Sequence, residues 1–474
     1  MIGMPKEEAY DVAVIGAGPA GLAAATLAAC YGLATVLLDE QPTPGGQVYR
    51  AVTKTPVQER TVLGSDYWRG SDLADAFHIS GAEYAPGTAV WNITPDREIG
   101  ISNSAGARLI SARHIILATG ALERPFPIPG WTLPGVMTCG AMQILMKTSG
   151  LVPDCRIVLA GTGPLLWLLA AQLLRAKVKI ETVLDTTPRR NWRAALPHLP
   201  AFLLSSYAPK GLALMREVKR QVRVISGVTA LAADGDGRLE MIRYRRGGGS
   251  ETAIPTDLLM LHQGVTPNVN LANAIGCEHN WNPVQHCFVP ATDQWGMSTV
   301  PGISIAGDGA GIRGAVAAEH RGRLAALEAA RLLGRIDQVA RDRAAVPYRA
   351  ALNRADRGRH FIDLLYRPSA ALRVPTGETI VCRCEEVTAR QVEEVIARGC
   401  PGPNQLKALL RCGMGPCQGR LCGLTVTEMI AKARAQSPAE IGHYRQRPPV
   451  KPITVAELAT LPQTEAAQKA VAGD

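Results

Sequence analysis

The sequence predicts an α/β fold with a small cysteine-rich domain behind it, on three observations. Two openings of similar pattern, Gly16 to Gly21 (GAGPAG) and Gly161 to Leu166 (GTGPLL), stand one domain length apart, each after a short apolar run and before an apolar helical stretch. Apolar residues make up 47% of the chain and aromatics only 5%, with abundant Gly and Ala, a mixture that lets helices pack closely on sheets. Cys382, Cys384, Cys412 and Cys417 have the spacing of a ligand set. At 474 residues the chain exceeds the size of a single core, so two or three domains are expected.

Taken in order, Asp11 to Ile15 (DVAVI) reads as the first strand, GAGPAG as its turn, and the Ala-rich run beyond as a helix. Thr35 to Leu38 is the next strand, with Asp39 at its end. A β-rich middle leads to Ile115 to Gly120 (IILATG), and the Pro-rich segment Pro125 to Pro134 is the linker into a second unit. Ile303 to Asp308 (ISIAGD) and the helical stretch Gly314 to Leu333 return to the first unit. The expected architecture is therefore two dinucleotide-binding, Rossmann-type domains, the second inserted in the first. The boundaries are about 8–125 with 290–340, and 126–289; a basic connector 341–375, a cysteine-rich domain 376–437 and a peripheral tail 438–474 follow.

The net charge of +10 raises nucleic acid as a partner, but the basic residues are scattered and not interleaved with aromatics, so none is expected. The densest basic stretch, Arg341 to Arg373, reads as a solvated connector. Eleven cysteines without a secretory pattern (Glu7, Glu8 and Asp11 stand where a signal peptide carries Lys or Arg) argue for a reducing, cytoplasmic compartment. Ile157 to Leu174 is long and apolar enough to raise a membrane helix, yet Gly161, Gly163 and Pro164 divide it into strand, turn and helix. No membrane span is expected, and peripheral association with a membrane stays open.

The glycine pattern has a physical reason. Gly16 permits the tight turn, Gly18 lets backbone N–H groups approach a pyrophosphate, and Gly21 allows close packing of helix on strand. Pro19 and Ala20 complete the loop, and Asp39, followed by Glu40, stands where an acid accepts hydrogen bonds from an adenosine ribose. The second opening departs from this, because Leu166 replaces the third glycine and is expected to push the helix from the strand and crowd a dinucleotide. Cys139 has no second cysteine nearby with which to cycle as a disulfide, and it reads as a buried small side chain, as do Cys30, Cys155, Cys277, Cys287 and Cys400. One residue separates Cys382 from Cys384, 27 separate Cys384 from Cys412, and four separate Cys412 from Cys417. Four thiolates suit a 2Fe–2S cluster or a structural zinc ion, and Cys422 is close enough in sequence to replace one ligand.

Residues 8 to 335 resemble the FAD-dependent, glutathione-reductase-like flavoproteins of the pyridine-nucleotide-disulfide-reductase class. The resemblance implies FAD contacts at Gly45, Gly46 and Gln47 (GGQ) near the ribityl chain, at the backbone of Val90 beside the adenine, and at Thr119 and Gly120 (ATG). It also implies contacts at Gly307 and Asp308 (GD) near the ribityl hydroxyls, and at Ala315, where a helix N-terminus faces the flavin. The segment VCRCEE followed by LKALLRCGMGPCQGRLC is similar to the bacterioferritin-associated-ferredoxin type of 2Fe–2S domain. The fusion resembles the α subunits of heteromeric bacterial amine dehydrogenases, a family that includes opine oxidases, D-hydroxyproline and L-proline dehydrogenases, sarcosine oxidase and hydrogen cyanide synthase.

That resemblance implies a β subunit similar to D-amino-acid oxidases that oxidises the substrate, a small ferredoxin-like third subunit in some assemblies, and FMN between subunits in several members. No side chain is named as catalytic; His320 reads as an ordinary helix residue. The expected function is an FAD and 2Fe–2S electron-transfer subunit of a dehydrogenase for an opine (octopine or nopaline type) or an imino or amino acid. Two alternatives stay open: a stand-alone NAD(P)H-dependent reductase, and a non-catalytic, zinc-bearing structural partner.

Overall fold

The protein is described by a computed structural model over residues 9–461. Its first strand, Ala9–Ile15, buries Val12, Ala13 and Val14 completely, as expected of a parallel strand covered on both faces. It pairs with Thr35–Asp39 on one side and Gly106–Leu117 on the other, in a seven-stranded sheet that Glu83–Pro86, Ala89–Ile93 and Glu98–Asn103 extend. The strand Ile303–Ile305 pairs in parallel with Ile115 to Leu117, so chain beyond the second unit completes the first sheet and the second unit is an insertion. The two crossings between units, Ala121–Glu123 and Val265–Pro267, pair antiparallel.

The second unit is built on a five-stranded parallel sheet in the order Arg223–Ser226, Thr182–Asp185, Ile157–Gly161, Leu258–His262 and Val136–Thr138. The long apolar stretch divides as expected, into that third strand and the helix Pro164–Arg175. Among the described residues no helix is long and apolar enough to cross a membrane. Helices of the two units share one apolar cluster, in which Leu22 and Phe77 join Met142, Leu166 and Trp167.

Small residues set the closest helix approach in the first unit. A Cβ on Gly322 of the helix Ala315–Leu332 would stand 2.1 Å from the Ala20 carbonyl oxygen on the helix Pro19–Cys30, so only glycine permits that crossing.

The connector is helical, over Gln338–Asp356, Arg359–Leu365 and Ala370–Arg373, and it is not simply solvated. Arg341 is buried, 2.5 Å from Glu328, with its guanidinium 4.0 Å from the centre of the Trp295 ring. Breaking such a pair by removing one partner typically costs about 3–5 kcal/mol.

The cysteine-rich domain has a core of its own, inside the helices Ala389–Ala397, Pro403–Leu410 and Gly423–Arg434. The stretch expected to be peripheral is built into two domains over its described residues. Tyr444 and Val450 are fully buried, the Val450 N–H donates to the Trp91 carbonyl at 2.8 Å, and Lys451 pairs with Glu40 at 2.7 Å. Thr460 Oγ1 accepts from the Ala107 N–H at 2.8 Å. Pro and Ala content signals a lack of regular structure, but an irregular strap can still bury isolated large side chains.

Two of the cysteines expected to be buried are not. Cys30 ends its helix at the surface and Cys155 lies in the exposed turn before a strand, whereas Cys139, Cys277, Cys287 and Cys400 are buried.

Candidate functional site

The first opening forms a cradle with no room for side chains. A Cβ on Gly21 would stand 1.8 Å from the Gly16 carbonyl oxygen, and one on Gly46 would stand 2.7 Å from the Gly18 Cα. Gly16 and Gly46 have φ of 103° and 59°, conformations that favour glycine. The sheet edge therefore presents backbone alone, from Gly18, Pro19 and Ala20 across to Gly45 and Gly46. Gly18 and Gly314, the residues preceding the helices Pro19–Cys30 and Ala315–Leu332, supply no capping side chain, which leaves both helix N-termini available to an anion.

Asp39 is buried at the end of its strand, with Oδ2 accepting from the Ala17 N–H at 2.8 Å and Oδ1 from the Gln41 N–H at 2.9 Å. Burial pushes its carboxyl above the usual range, against the pull of those two N–H groups and of Arg50. Asp308 Oδ1 accepts from the N–H groups of Arg313 and Gly314 at 2.8 and 3.0 Å, so this carboxylate shapes the loop that presents Ala315. A Cβ on Gly307 would stand 2.7 Å from the Ala20 Cβ, which brings the GD turn against the first helix. Thr119 donates to the Asn268 carbonyl at 3.0 Å, and the Gly120 carbonyl accepts from the Asn268 N–H at 2.9 Å, which fixes both residues where the chain crosses between units. Val90 is buried in the strand beyond, whereas Glu40 and Gln47 are exposed.

Sequence motifs did not reveal Arg50 and Lys147. Arg50 is buried, and its Nε and Nη1 have no hydrogen-bond partner, a costly arrangement that an anionic ligand would relieve. Lys147, from the second unit, donates to the Gln47 and Val48 carbonyls at 3.3 and 3.0 Å, and burial with Arg50 nearby lowers its ammonium to about 8. A backbone cradle, two open helix N-termini and an orphaned buried guanidinium fit a dinucleotide diphosphate.

The second opening is filled by the protein itself. The His262 imidazole stands 3.2 Å from where a Gly163 Cβ would lie, the approach a pyrophosphate would need. Its Nδ1 is 2.6 Å from Glu123 Oε1, and Glu123 Oε2 accepts from the Gly140 N–H at 2.8 Å. Asn191 donates to the carbonyls of Leu365 and Arg367 at 2.9 and 2.7 Å, which lays the connector along this crevice, and Leu372 packs into the core beneath. Leu166 is fully buried in the shared core. Cys139 is fully buried too, and burial together with Glu123 pushes its thiol well above the ordinary value.

In the C-terminal domain the sulfurs of Cys382, Cys412 and Cys422 lie within 4.8 Å of one another, all three buried. Cys384 and Cys417 lie close by, near enough that Cys417 and Cys382 both bear on the Cys384 thiol. The neighbouring thiols of Cys412 and Cys422, with the N–H groups of Gly413 and Glu385, pull the Cys382 thiol far down, while the same contacts push Cys412 up. A metal centre bound by these sulfurs would displace their thiol protons. The fully buried Tyr444 hydroxyl beside them has no hydrogen-bond partner, which fits a group that brings further sulfur acceptors. The sequence placed Cys382, Cys384, Cys412 and Cys417 in the set; the fold adds Cys422 at its centre.

Fold and cradle define a flavoprotein oxidoreductase class with two dinucleotide-type domains. The family model described as pyridine nucleotide-disulphide oxidoreductase matches residues 10–322, and that of the sarcosine oxidase A3 domain matches residues 376–461. The A subunit of the opine oxidase of Agrobacterium tumefaciens (strain Ach5) is 50% identical over 98% of this chain and 94% of its own length. The HcnB subunit of the hydrogen cyanide synthase of Pseudomonas aeruginosa is 30% identical over 94% of this chain and 98% of its own length. Among solved structures, L-proline dehydrogenase from P. horikoshii superimposes with a TM-score of 0.69 at 19% identity, covering 95% of this chain and 79% of that one, a likeness of fold. The chain belongs to the family of opine oxidase A subunits.

Proposed function

We propose that this chain is the electron-transfer subunit of a heteromeric amine dehydrogenase that oxidises an opine of the octopine or nopaline type, or an imino or amino acid. In this reading FAD lies in the first cradle, and a 2Fe–2S cluster is held by four of the five thiols Cys382, Cys384, Cys412, Cys417 and Cys422, the sequence spacing favouring Cys382, Cys384, Cys412 and Cys417 and the fold bringing Cys422 beside Cys382 and Cys412. Gly16, Gly18, Pro19, Ala20, Gly21, Gly45 and Gly46 bring backbone to the diphosphate, and Arg50 supplies its countercharge. Asp39, with Glu40 beside it, holds the adenosine ribose, and the Val90 backbone meets the adenine. Gln47, Thr119, Gly120, Gly307, Asp308 and Ala315 face the ribityl and flavin end. When bound, the flavin accepts electrons in pairs and the cluster passes them singly.

The observation that carries this reading is a bonded path between the two sites. Arg420 donates to the Cys417 carbonyl at 3.1 Å and to the Val450 carbonyl at 3.0 Å, and Val450 in turn is bonded to Trp91, next to Val90. The cysteine domain is thereby held against the edge of the first sheet, an arrangement suited to electron transfer within one chain. The substrate belongs to a partner subunit resembling D-amino-acid oxidases, with FMN at the interface and a small ferredoxin-like third subunit as further members of the assembly.

The test is turnover. The purified chain with an artificial electron acceptor should leave opines and amino acids untouched, and the complex with its partner should oxidise them. Turnover by the isolated chain at the rate of the complex overturns the proposal, and rapid bleaching of its flavin by NADH or NADPH would favour the reductase alternative.

A further inference from the structure

Tyr444 belongs to the strap that leaves the cysteine domain, beyond every cysteine, yet it is fully buried among them. Its ring packs against glycines at three positions of the cysteine segment. A Cβ on Gly413 would stand 2.8 Å from the ring, one on Gly419 2.9 Å and one on Gly423 3.2 Å. The ring thus packs against the loops that carry Cys412, Cys417 and Cys422, inside the same buried cluster as Cys382, Cys412 and Cys422. Its hydroxyl is buried there with no hydrogen-bond partner of any kind. A phenol desolvated in this way costs free energy unless it has an acceptor. The Lys407 ammonium lies 5.0 Å from the centre of the ring, a cation placed to strengthen the phenol as a donor.

We propose that Tyr444 is a tuning residue of the metal centre, its unpartnered buried hydroxyl donating a hydrogen bond to a sulfur of the bound cluster and favouring the reduced form. The inference rests on the 2Fe–2S reading above. Adding one electron increases the negative charge on the cluster sulfurs, so a donor to sulfur stabilises the reduced form more than the oxidised one and raises the potential. The glycines at 413 and 419 leave room for the ring, because a Cβ at either would stand under 3.0 Å from it.

The experiment is a redox titration of the full-length holoprotein, wild type against Tyr444→Phe, followed by visible absorbance and EPR, with iron and sulfide measured on each sample. Tyr444→Phe should keep its iron and lower the midpoint by about 59 mV, a tenfold shift in a one-electron equilibrium. In a second arm, wild-type chain grown with 3-fluorotyrosine carries a stronger phenolic donor in the same ring, and its midpoint should rise. If the phenylalanine variant fails to load, 3-fluorotyrosine placed at position 444 alone by amber suppression decides the question. A normal cluster whose midpoint moves in neither arm overturns the role of Tyr444 and leaves the cluster reading standing. A wild-type chain that purifies with zinc, or without 2Fe–2S absorbance, overturns both.

Discussion

The two openings, GAGPAG and GTGPLL, begin alike and end in different sites. In both, a strand runs into a glycine turn and a helix that starts with proline, at Pro19 and at Pro164. In the first, Gly21 draws the helix onto the strand, and backbone alone lines the edge. In the second, Leu166 takes the equivalent place inside the shared core, while His262, braced by Glu123, stands over Gly163. The same local pattern therefore leaves an open backbone cradle in one unit and a turn overlaid by His262 in the other. A glycine motif fixes a turn, but the long-range neighbours decide whether the turn stays open.

The comparison can be broken most sharply by giving the first opening the residue of the second. Gly21→Leu puts side-chain atoms where even a Cβ would lie 1.8 Å from the Gly16 carbonyl oxygen, so the variant should purify without flavin. The flavin-to-protein absorbance ratio reads this directly, with circular dichroism to show whether the fold survives. A full flavin complement would mean that the first helix does not need its close approach.

A smaller effect is expected at the second opening, where Leu166→Ala removes a fully buried side chain. It should cost about 2–5 kcal/mol of stability in denaturant unfolding, as large-to-small core changes do. Flavin content should be unchanged, and NADH should still fail to reduce the flavin, because His262 and the connector remain in place. Rapid reduction by NADH in this variant would show that Leu166 alone had closed the crevice.

The smallest effect belongs to Asp39→Ala. It removes a carboxylate that would take charge-assisted hydrogen bonds from the ribose, each worth about 1.5–3 kcal/mol, and it also releases the N–H groups of Ala17 and Gln41. Flavin should be lost on dialysis while iron is kept. Full retention of flavin would remove Asp39 from the site.

Much of this was legible in the sequence because it is local. The turn at Gly16 to Gly21, the strand that ends at Asp39, the division of Ile157 to Leu174 and the return of Ile303 to the first sheet all follow from the conformations that short stretches can adopt. The cysteine spacing likewise pointed to this segment, where Cys382 and Cys412 of the expected set come together. Arg50 was not legible, since a lone arginine after a glycine turn looks like any surface cation until its burial is known. Arg341 misled in the same way, because its partner Glu328 and its platform Trp295 lie on other elements.

By itself, then, the sequence determined two dinucleotide-type units in the right order, a glycine cradle in the first, and a cluster of thiols near the C-terminus. Tertiary structure alone decided that Cys422 joins Cys382 and Cys412, that His262 fills the second crevice, and that the strap returns Tyr444 to the cysteines. The physical reason is range. Backbone conformation is set by neighbours within a few residues, whereas burial, orphaned polar groups and clustered thiols arise between residues that only the folded chain brings together.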